Sequence, residues 1–173
     1  MKQRAALLLF VSIATFAVAA CADDGGDVTG SASASASAST ASKGCEIVDG
    51  TKEARSSEVH VALDEWSVKP DISSVTAGNV EFDAANDGEH DHELVIVRGA
   101  QPADLTITKD GLDEKELPKG AEVLGEIEGF PGGDSCHGTF ELAAGDYTLL
   151  CNITTDDVGS HAHLGMVKAF TVR

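Results

Sequence analysis

One segment near the end of the chain collects the side chains best suited to metal chemistry. It reads CNITTDDVGSHAHLGM, begins at Cys151 and ends at Met166, and contains His161 and His163. A thiolate and a thioether favour Cu(I), whereas imidazole suits both common oxidation states of copper. A further histidine, His92, stands far upstream and is a candidate for the second imidazole. This mixture of donors indicates a site where copper changes its charge.

Two imidazoles and one thiolate in a plane, with a weak bond to methionine, form the ligand set of a blue copper centre. Without His161 and Met166 downstream, Cys151 would be interpreted as a small buried hydrophobic residue. A binuclear copper site needs two thiolates in this loop, which holds one. Zinc rarely recruits methionine. The residue types therefore predict one copper ion.

Two pairs of histidines leave the identity of the imidazole ligands open. His90 and His92 are two residues apart, as are His161 and His163. Because residues two apart on a strand point to the same face, spacing alone does not choose between them. The histidine of each pair that is not a ligand is interpreted as a solvent-exposed residue, with a second, surface Cu(II) site as the alternative. His60 and His137 are interpreted as ordinary strand or loop residues.

The elements that position these side chains are predicted to be β-strands. Hydrophobic and polar residues alternate around Val59, Phe82 and Leu149, which is the period of a strand with one buried face. Residues 94–97 are all apolar, as in a strand covered on both faces. Turn-forming Gly, Asn, Asp and Pro separate the runs. Residues 103–117 are the one stretch where the sequence allows a short helix. The pattern favours an all-β sandwich.

The first residues have the pattern of an export signal. Four residues carrying Lys2 and Arg4 precede an apolar stretch at 5–20 that is shorter than the roughly 20 residues of a membrane span. The stretch ends in VAAC, which resembles the lipobox of bacterial lipoproteins. That resemblance implies a signal peptide at 1–20, lipidation of Cys21 and anchoring to the membrane outside the bacterial cytoplasm. An ordinary secretory signal with a chance cysteine at the cut is the alternative.

A tether is predicted between the anchor and the domain. Residues 21–56 include a Ser/Ala/Gly-rich stretch with few side chains large enough to bury, so we expect a flexible linker there, with the folded domain at 57–173. As a flexible chain, the Ser/Ala/Gly-rich stretch reaches about 25–35 Å on average. The formal net charge is −17 and becomes more negative when Lys2 and Arg4 leave with the leader. Such a charge argues against nucleic acid and anionic lipid headgroups as partners.

Residues 57–173 resemble the cupredoxin family of small copper proteins, which includes plastocyanin, azurin and pseudoazurin. The resemblance rests on VTAGNVEF at 75–82, NDGEHDHELV at 86–95 and GDYTLLCNI at 145–153, followed by a histidine five residues before the methionine. It implies a Greek-key β-sandwich, with His92, Cys151 and His161 as equatorial ligands and Met166 as the axial ligand. One departure is the loop of nine residues between Cys151 and His161, longer than in many family members.

This assignment leaves two further cysteines to be explained. With Cys21 on lipid and Cys151 on metal, Cys45 and Cys136 are an even pair in an oxidising compartment. The pair forms either a disulfide or two free thiols.

The function implied by the resemblance is one-electron transfer by a membrane-tethered monomer. No nucleophile with a paired base stands out, and the chain is too short for the additional copper centres of multicopper oxidases, so we expect no enzymatic activity. The expected partners are redox proteins such as a cytochrome or an oxidase. The alternatives are a lipoprotein that binds copper and delivers it to another protein, and a contact module whose site stays empty.

Overall fold

The chain folds into two β-sheets that enclose a hydrophobic core, as seen in a computed structural model that describes residues 44–173. The predicted signal peptide, Cys21 and the first part of the predicted linker lie outside these residues. Within the described range, no helix has the length and hydrophobicity needed to span a membrane.

Residues 44–173 contain fourteen strands and one short helix, together with 3₁₀ turns at Pro102–Asp104 and Glu114–Glu116. In chain order the elements are β1 (Ile47–Val48), β2 (Ser57–Asp64), β3 (Ser67–Pro70), β4 (Ser74–Val75), β5 (Gly78–Asn86), β6 (His92–Arg98), β7 (Ile107–Thr108), β8 (Gly111–Leu112), β9 (Glu122–Phe130), β10 (Ser135–Leu142), β11 (Gly145–Leu150), β12 (Thr154–Thr155), β13 (Gly159–Ser160), α1 (His161–Leu164) and β14 (Val167–Val172).

Ten of these strands form the two main sheets. The larger sheet has the order β1-β9-β6-β11-β14-β4, and the smaller has the order β10-β5-β2-β3. Most neighbours are antiparallel, but β2 pairs with β5 and β14 with β4 in parallel. This architecture confirms the predicted all-β sandwich. Two further pairs, β7–β8 and β12–β13, form small hairpins outside the main sheets.

The alternation in the sequence is the cause of this layering. Every second residue of β2 and β5 is buried, and these side chains meet those of the larger sheet in one core. Its largest fully buried side chains include Phe82, Phe140, Tyr147 and Phe170. Each such side chain contributes roughly 1.5–3 kcal/mol relative to an exposed position.

The apolar run in β6 is buried on both faces, as the sequence indicated. Leu94 and Ile96 belong to the core between the sheets. Val95 and Val97 face a second cluster that includes Leu112 and residues near α1. The segment 99–118 therefore covers the outer face of the larger sheet. It does so with 3₁₀ turns and the β7–β8 hairpin, and residues 103–117 do not form an α-helix. Gly111, with φ of +96°, sits at that hairpin and breaks any helix there.

The folded part begins before residue 57, so the predicted linker boundary at residue 56 is too late. Cys45 forms a disulfide with Cys136, and β1 pairs with β9 through Ile47 opposite Ile127. The N–H of Thr51 also donates to the carbonyl of Thr139 at 2.7 Å. A strand of two residues has no periodicity to detect, which is why the sequence pattern missed it.

Candidate metal centre

Three elements bring the predicted donors together. His92 is the first residue of β6, Cys151 directly follows β11, and His161 is the first residue of α1. The strands β6 and β11 are neighbours in the larger sheet, with Leu150 opposite Val95. The sheet register therefore fixes the positions of His92 and Cys151 relative to each other.

The donor atoms of these three residues form a tight, buried cluster. The Nδ1 atoms of His92 and His161 are 3.2 Å apart. The Sγ atom of Cys151 is 3.5 Å from Nδ1 of His161 and 3.9 Å from Nδ1 of His92. All three side chains are fully buried. Among the residues that the structure describes, Cys151 is the one free cysteine.

These distances are those that a bound metal ion requires. Metal–nitrogen and metal–sulfur bonds of about 2.0–2.3 Å place neighbouring donors roughly 3–4 Å from one another. Buried polar atoms normally have hydrogen-bond partners within the protein, but these atoms face mainly one another. Two imidazole nitrogens and a sulfur that converge in this way fit a transition-metal ion, and with methionine nearby they fit copper in particular.

Met166 is held against the same cluster through the backbone. Its N–H donates to the carbonyl of His161 at 3.0 Å, and its own carbonyl accepts from the N–H of Cys151 at 3.1 Å. Its side chain is fully buried. Gly165, which precedes it, has φ of +129°, and a Cβ there would lie 3.0 Å from the carbonyl oxygen of Trp66. Glycine therefore allows the chain to turn from α1 into β14 beside the donors.

The long loop between Cys151 and His161 forms a small hairpin. Strands β12 and β13 pair within it, with Thr155 opposite Gly159. The N–H of His161 then donates to the carbonyl of Ile153 at 2.9 Å, and Ser160 caps α1 by accepting from the N–H of His163 at 3.1 Å. The hairpin thus accommodates the extra residues, and it leaves His161 close to Cys151.

The other members of the two histidine pairs lie outside the donor cluster. His163 is exposed, because residues two apart on a helix point to different sides, in contrast to the strand geometry expected from the sequence. His90 is half-buried, and its Nδ1 lies 3.1 Å from Oε1 of Glu65. Its ring centroid is 6.2 Å from that of His161. The structure therefore gathers His92 and His161, places His90 beside them and leaves His163 exposed.

Glu65, which sequence reasoning missed, organises the loop that precedes His92. It lies in the β2–β3 turn, where its carboxylate accepts from the N–H groups of Glu89 at 2.8 Å and His90 at 2.9 Å. The hydrogen bond from the His90 N–H is the main reason why the pKa of Glu65 falls to about 2. Oε1 of Glu65 also lies 3.5 Å from Nε2 of His92, a distance too long for a hydrogen bond. A carboxylate there favours a proton on Nε2, which leaves the Nδ1 lone pair free for a metal ion.

Two polar side chains tie the neighbouring backbone segments together. Asn86 is buried, and its Nδ2 donates to the carbonyls of His90 and Phe130, each at 2.9 Å. Glu93, next to His92, accepts from the N–H of Asn152, next to Cys151, at 2.8 Å. Burial is the main reason why the pKa of Glu93 rises to about 7. These hydrogen bonds hold the segments that carry His92 and Cys151 in one arrangement.

Trp66 covers the cluster. Its ring centroid lies 4.9 Å from that of His161, 5.5 Å from that of His90 and 6.3 Å from that of His92. Nε2 of His161 is buried and has no hydrogen-bond partner within residues 44–173. The indole thus shields the imidazole rings from water and lowers the local dielectric. No sequence pattern marked Trp66, because its approach to the histidines depends on the β2–β3 turn.

Burial also sets the protonation of the cluster. Desolvation raises the pKa of the Cys151 thiol to about 12 and lowers the pKa of His92 and of His161. At neutral pH the metal-free site therefore contains a protonated thiol and two neutral imidazoles. A metal ion must displace the thiol proton to bind sulfur, whereas the imidazoles are ready to bind.

The two-sheet sandwich has the architecture of the cupredoxin fold. Among solved structures, the chain is similar to auracyanin B, with 21% identity, a TM-score of 0.52, and coverage of 72% of this chain and 94% of that chain. This similarity shows the fold.

Two further solved structures are similar to the chain. One is the dithionite-reduced auracyanin of the photosynthetic bacterium Roseiflexus castenholzii, with 19% identity over 70% of this chain and 99% of that chain and a TM-score of 0.47. The other is auracyanin A, described as a "blue" copper protein of Chloroflexus aurantiacus, with 22% identity over 67% of this chain and 98% of that chain and a TM-score of 0.48. No protein-family model matches the sequence, and no curated protein matches it.

Proposed function

We propose that this protein binds one copper ion as a blue copper centre and carries single electrons. The observation that supports this most is the buried cluster of His92 Nδ1, His161 Nδ1 and Cys151 Sγ, with atoms 3.2–3.9 Å apart. These residues would hold the ion, together with the thioether of Met166, whose side chain is fully buried. When bound, copper supplies a one-electron couple between Cu(I) and Cu(II).

The protein's own contribution is a rigid and dry site. Backbone hydrogen bonds join Cys151, His161 and Met166, and the Glu65 carboxylate holds the loop before His92. Such a framework limits the rearrangement that a change of copper charge would otherwise cause. Trp66 covers the imidazoles and keeps water from the ion. The residues therefore favour electron transfer over binding of a substrate at the metal.

The charge of the chain supports a basic redox partner. A formal net charge of −17 attracts positively charged surfaces and raises their association rate. We infer that the partner is a redox protein with a basic face, such as a cytochrome or an oxidase, and that this protein meets it as a monomer.

We infer an extracytoplasmic location with a lipid anchor at Cys21. The export-type leader supports this, and so does the disulfide between Cys45 and Cys136, since disulfides persist in oxidising compartments. In the native bacterium, Cys21→Ser should release the protein from membranes, because the sequence after Cys21 is rich in Ser, Ala and Gly and has few large apolar residues. Retention of that variant in the membrane fraction after salt and carbonate washes would show that the lipid is not the anchor.

Repeated redox cycling tests the proposed function. The copper-loaded full chain is reduced with ascorbate and oxidised with ferricyanide over several cycles, in the presence of a Cu(I) chelator. A carrier with a buried, preformed site should keep its copper and recover its visible absorption after each cycle. Loss of copper to the chelator in the reduced state would instead indicate a protein that delivers copper.

A further inference from the structure

A row of possible metal donors crosses the outer face of the smaller sheet. His60 on β2 lies opposite Asp83 on β5, and Asp83 lies opposite His137 on β10. In all three strands the neighbours of these residues along the chain are buried, so the three side chains share the outward face. Directly opposed side chains in adjacent strands have Cβ atoms about 4.5–5.5 Å apart. The register therefore places two imidazoles on either side of one carboxylate.

The donor atoms on one side of this row are already close. Nδ1 of His60 is 3.2 Å from Oδ2 of Asp83. Glu58, two residues before His60 on the same face of β2, completes a set whose ligand atoms all lie within 4.8 Å of one another. Small rotations of these partly exposed side chains bring such atoms to the spacing of roughly 3–4 Å that one ion requires.

We propose that Glu58, His60 and Asp83 form a second, surface site for a divalent transition-metal ion, with Zn²⁺ as its representative ligand. One imidazole and two carboxylates suit zinc, and imidazole selects against Mg²⁺ and Ca²⁺, which prefer oxygen donors alone. The two carboxylates neutralise the charge of the ion. This site shares no residue with the buried cluster, and it stands whether or not that cluster binds copper.

Arg55 competes with the ion for this site. Its Nη1 lies 3.0 Å from Oε1 of Glu58 and also contacts the carboxylate of Glu81. A guanidinium here occupies Oε1 of Glu58 and offsets part of the negative charge that would attract a cation. Removal of the Arg55 charge should therefore strengthen metal binding, which a purely structural role for the cluster would not produce.

Zinc binding to the metal-free full chain, measured by equilibrium dialysis, tests the proposal. The wild type should bind one more Zn²⁺ per chain than His60→Ala or Asp83→Asn, and this difference does not depend on the buried cluster. Arg55→Gln should lower the Kd of the additional site at least about threefold. The matched control is His163→Ala, which removes an exposed histidine of α1 and should bind as the wild type does.

Three results would overturn the proposal: equal zinc stoichiometry in the wild type and His60→Ala, weaker binding in Arg55→Gln, or loss of the additional ion in His163→Ala. Thermal unfolding of each variant shows whether a loss of zinc reflects a loss of fold. If His60→Ala unfolds early, Asp83→Asn, which keeps the size of the side chain, decides the outcome.

Discussion

The carboxylate of Glu65 anchors the loop before His92, and its removal should destabilise the domain measurably. It accepts two backbone hydrogen bonds, from Glu89 at 2.8 Å and from His90 at 2.9 Å. Hydrogen bonds to a charged group contribute about 1.5–3 kcal/mol each. A quarter of the side chain is exposed, so water replaces part of this when the carboxylate is absent. We therefore expect Glu65→Ala to lower the free energy of unfolding by about 2–3 kcal/mol.

Urea unfolding of the metal-free full chain at pH 7 measures this loss. Glu65→Gln keeps an acceptor oxygen without the charge and should lose about half as much. The control is Glu141→Ala, which removes an exposed carboxylate from β10 and should stay within about 0.5 kcal/mol of the wild type. A Glu65→Ala variant as stable as Glu141→Ala would refute the anchoring role. Copper affinity gives a second measure, since Glu65 holds the loop that precedes His92, and the affinity should fall when that loop is released.

Two other predictions concern the cysteines. The disulfide between Cys45 and Cys136 closes a loop of 91 residues, for which the loss of chain entropy in the unfolded state gives about 4–5 kcal/mol of stability. Replacement of both cysteines by alanine should lower the free energy of unfolding, measured in urea, by about 2–5 kcal/mol. Unchanged stability would contradict a stabilising role for the disulfide. The raised pKa of Cys151 and the lowered pKa of both buried histidines predict that copper binding at pH 7–8 releases about one proton, from Cys151. Calorimetry in buffers of different ionisation enthalpy measures that number. Release of two or three protons would mean that the imidazoles are charged in the metal-free protein.

The sequence predicted the sandwich because its strands bury one face. The alternation in β2 and β5 and the apolar run in β6 indicate which side chains of these strands are buried in the structure. The donor types of Cys151, His161 and Met166 were equally visible, since they stand in one short segment. Neither β1, with two paired residues, nor the hairpin β12–β13 has enough length to give a period.

The surroundings of the site depend on contacts between distant positions. Glu65 is 25 residues from His90 in the sequence, and only the β2–β3 turn brings its carboxylate to that loop. His60 and His137 were interpreted as ordinary residues because the sequence does not show which strands are neighbours. The pairing of β2, β5 and β10 places Asp83 beside both histidines, and a pattern within one strand cannot reveal that pairing. Spacing alone did not separate His161 from His163, and the resemblance to the cupredoxin family selected His161. The helix α1 gives the physical reason, because it leaves His163 exposed.

The most direct test of the central claim is the visible absorption spectrum of the copper-loaded protein with and without Cys151. If Cys151 binds copper through its thiolate, the wild type should show an intense visible charge-transfer band, and Cys151→Ser should lose it while it still unfolds cooperatively. His163→Ala, the exposed control on α1, should keep the band. A wild type that binds one copper ion without such a band, or a Cys151→Ser variant that retains it, would contradict the assignment.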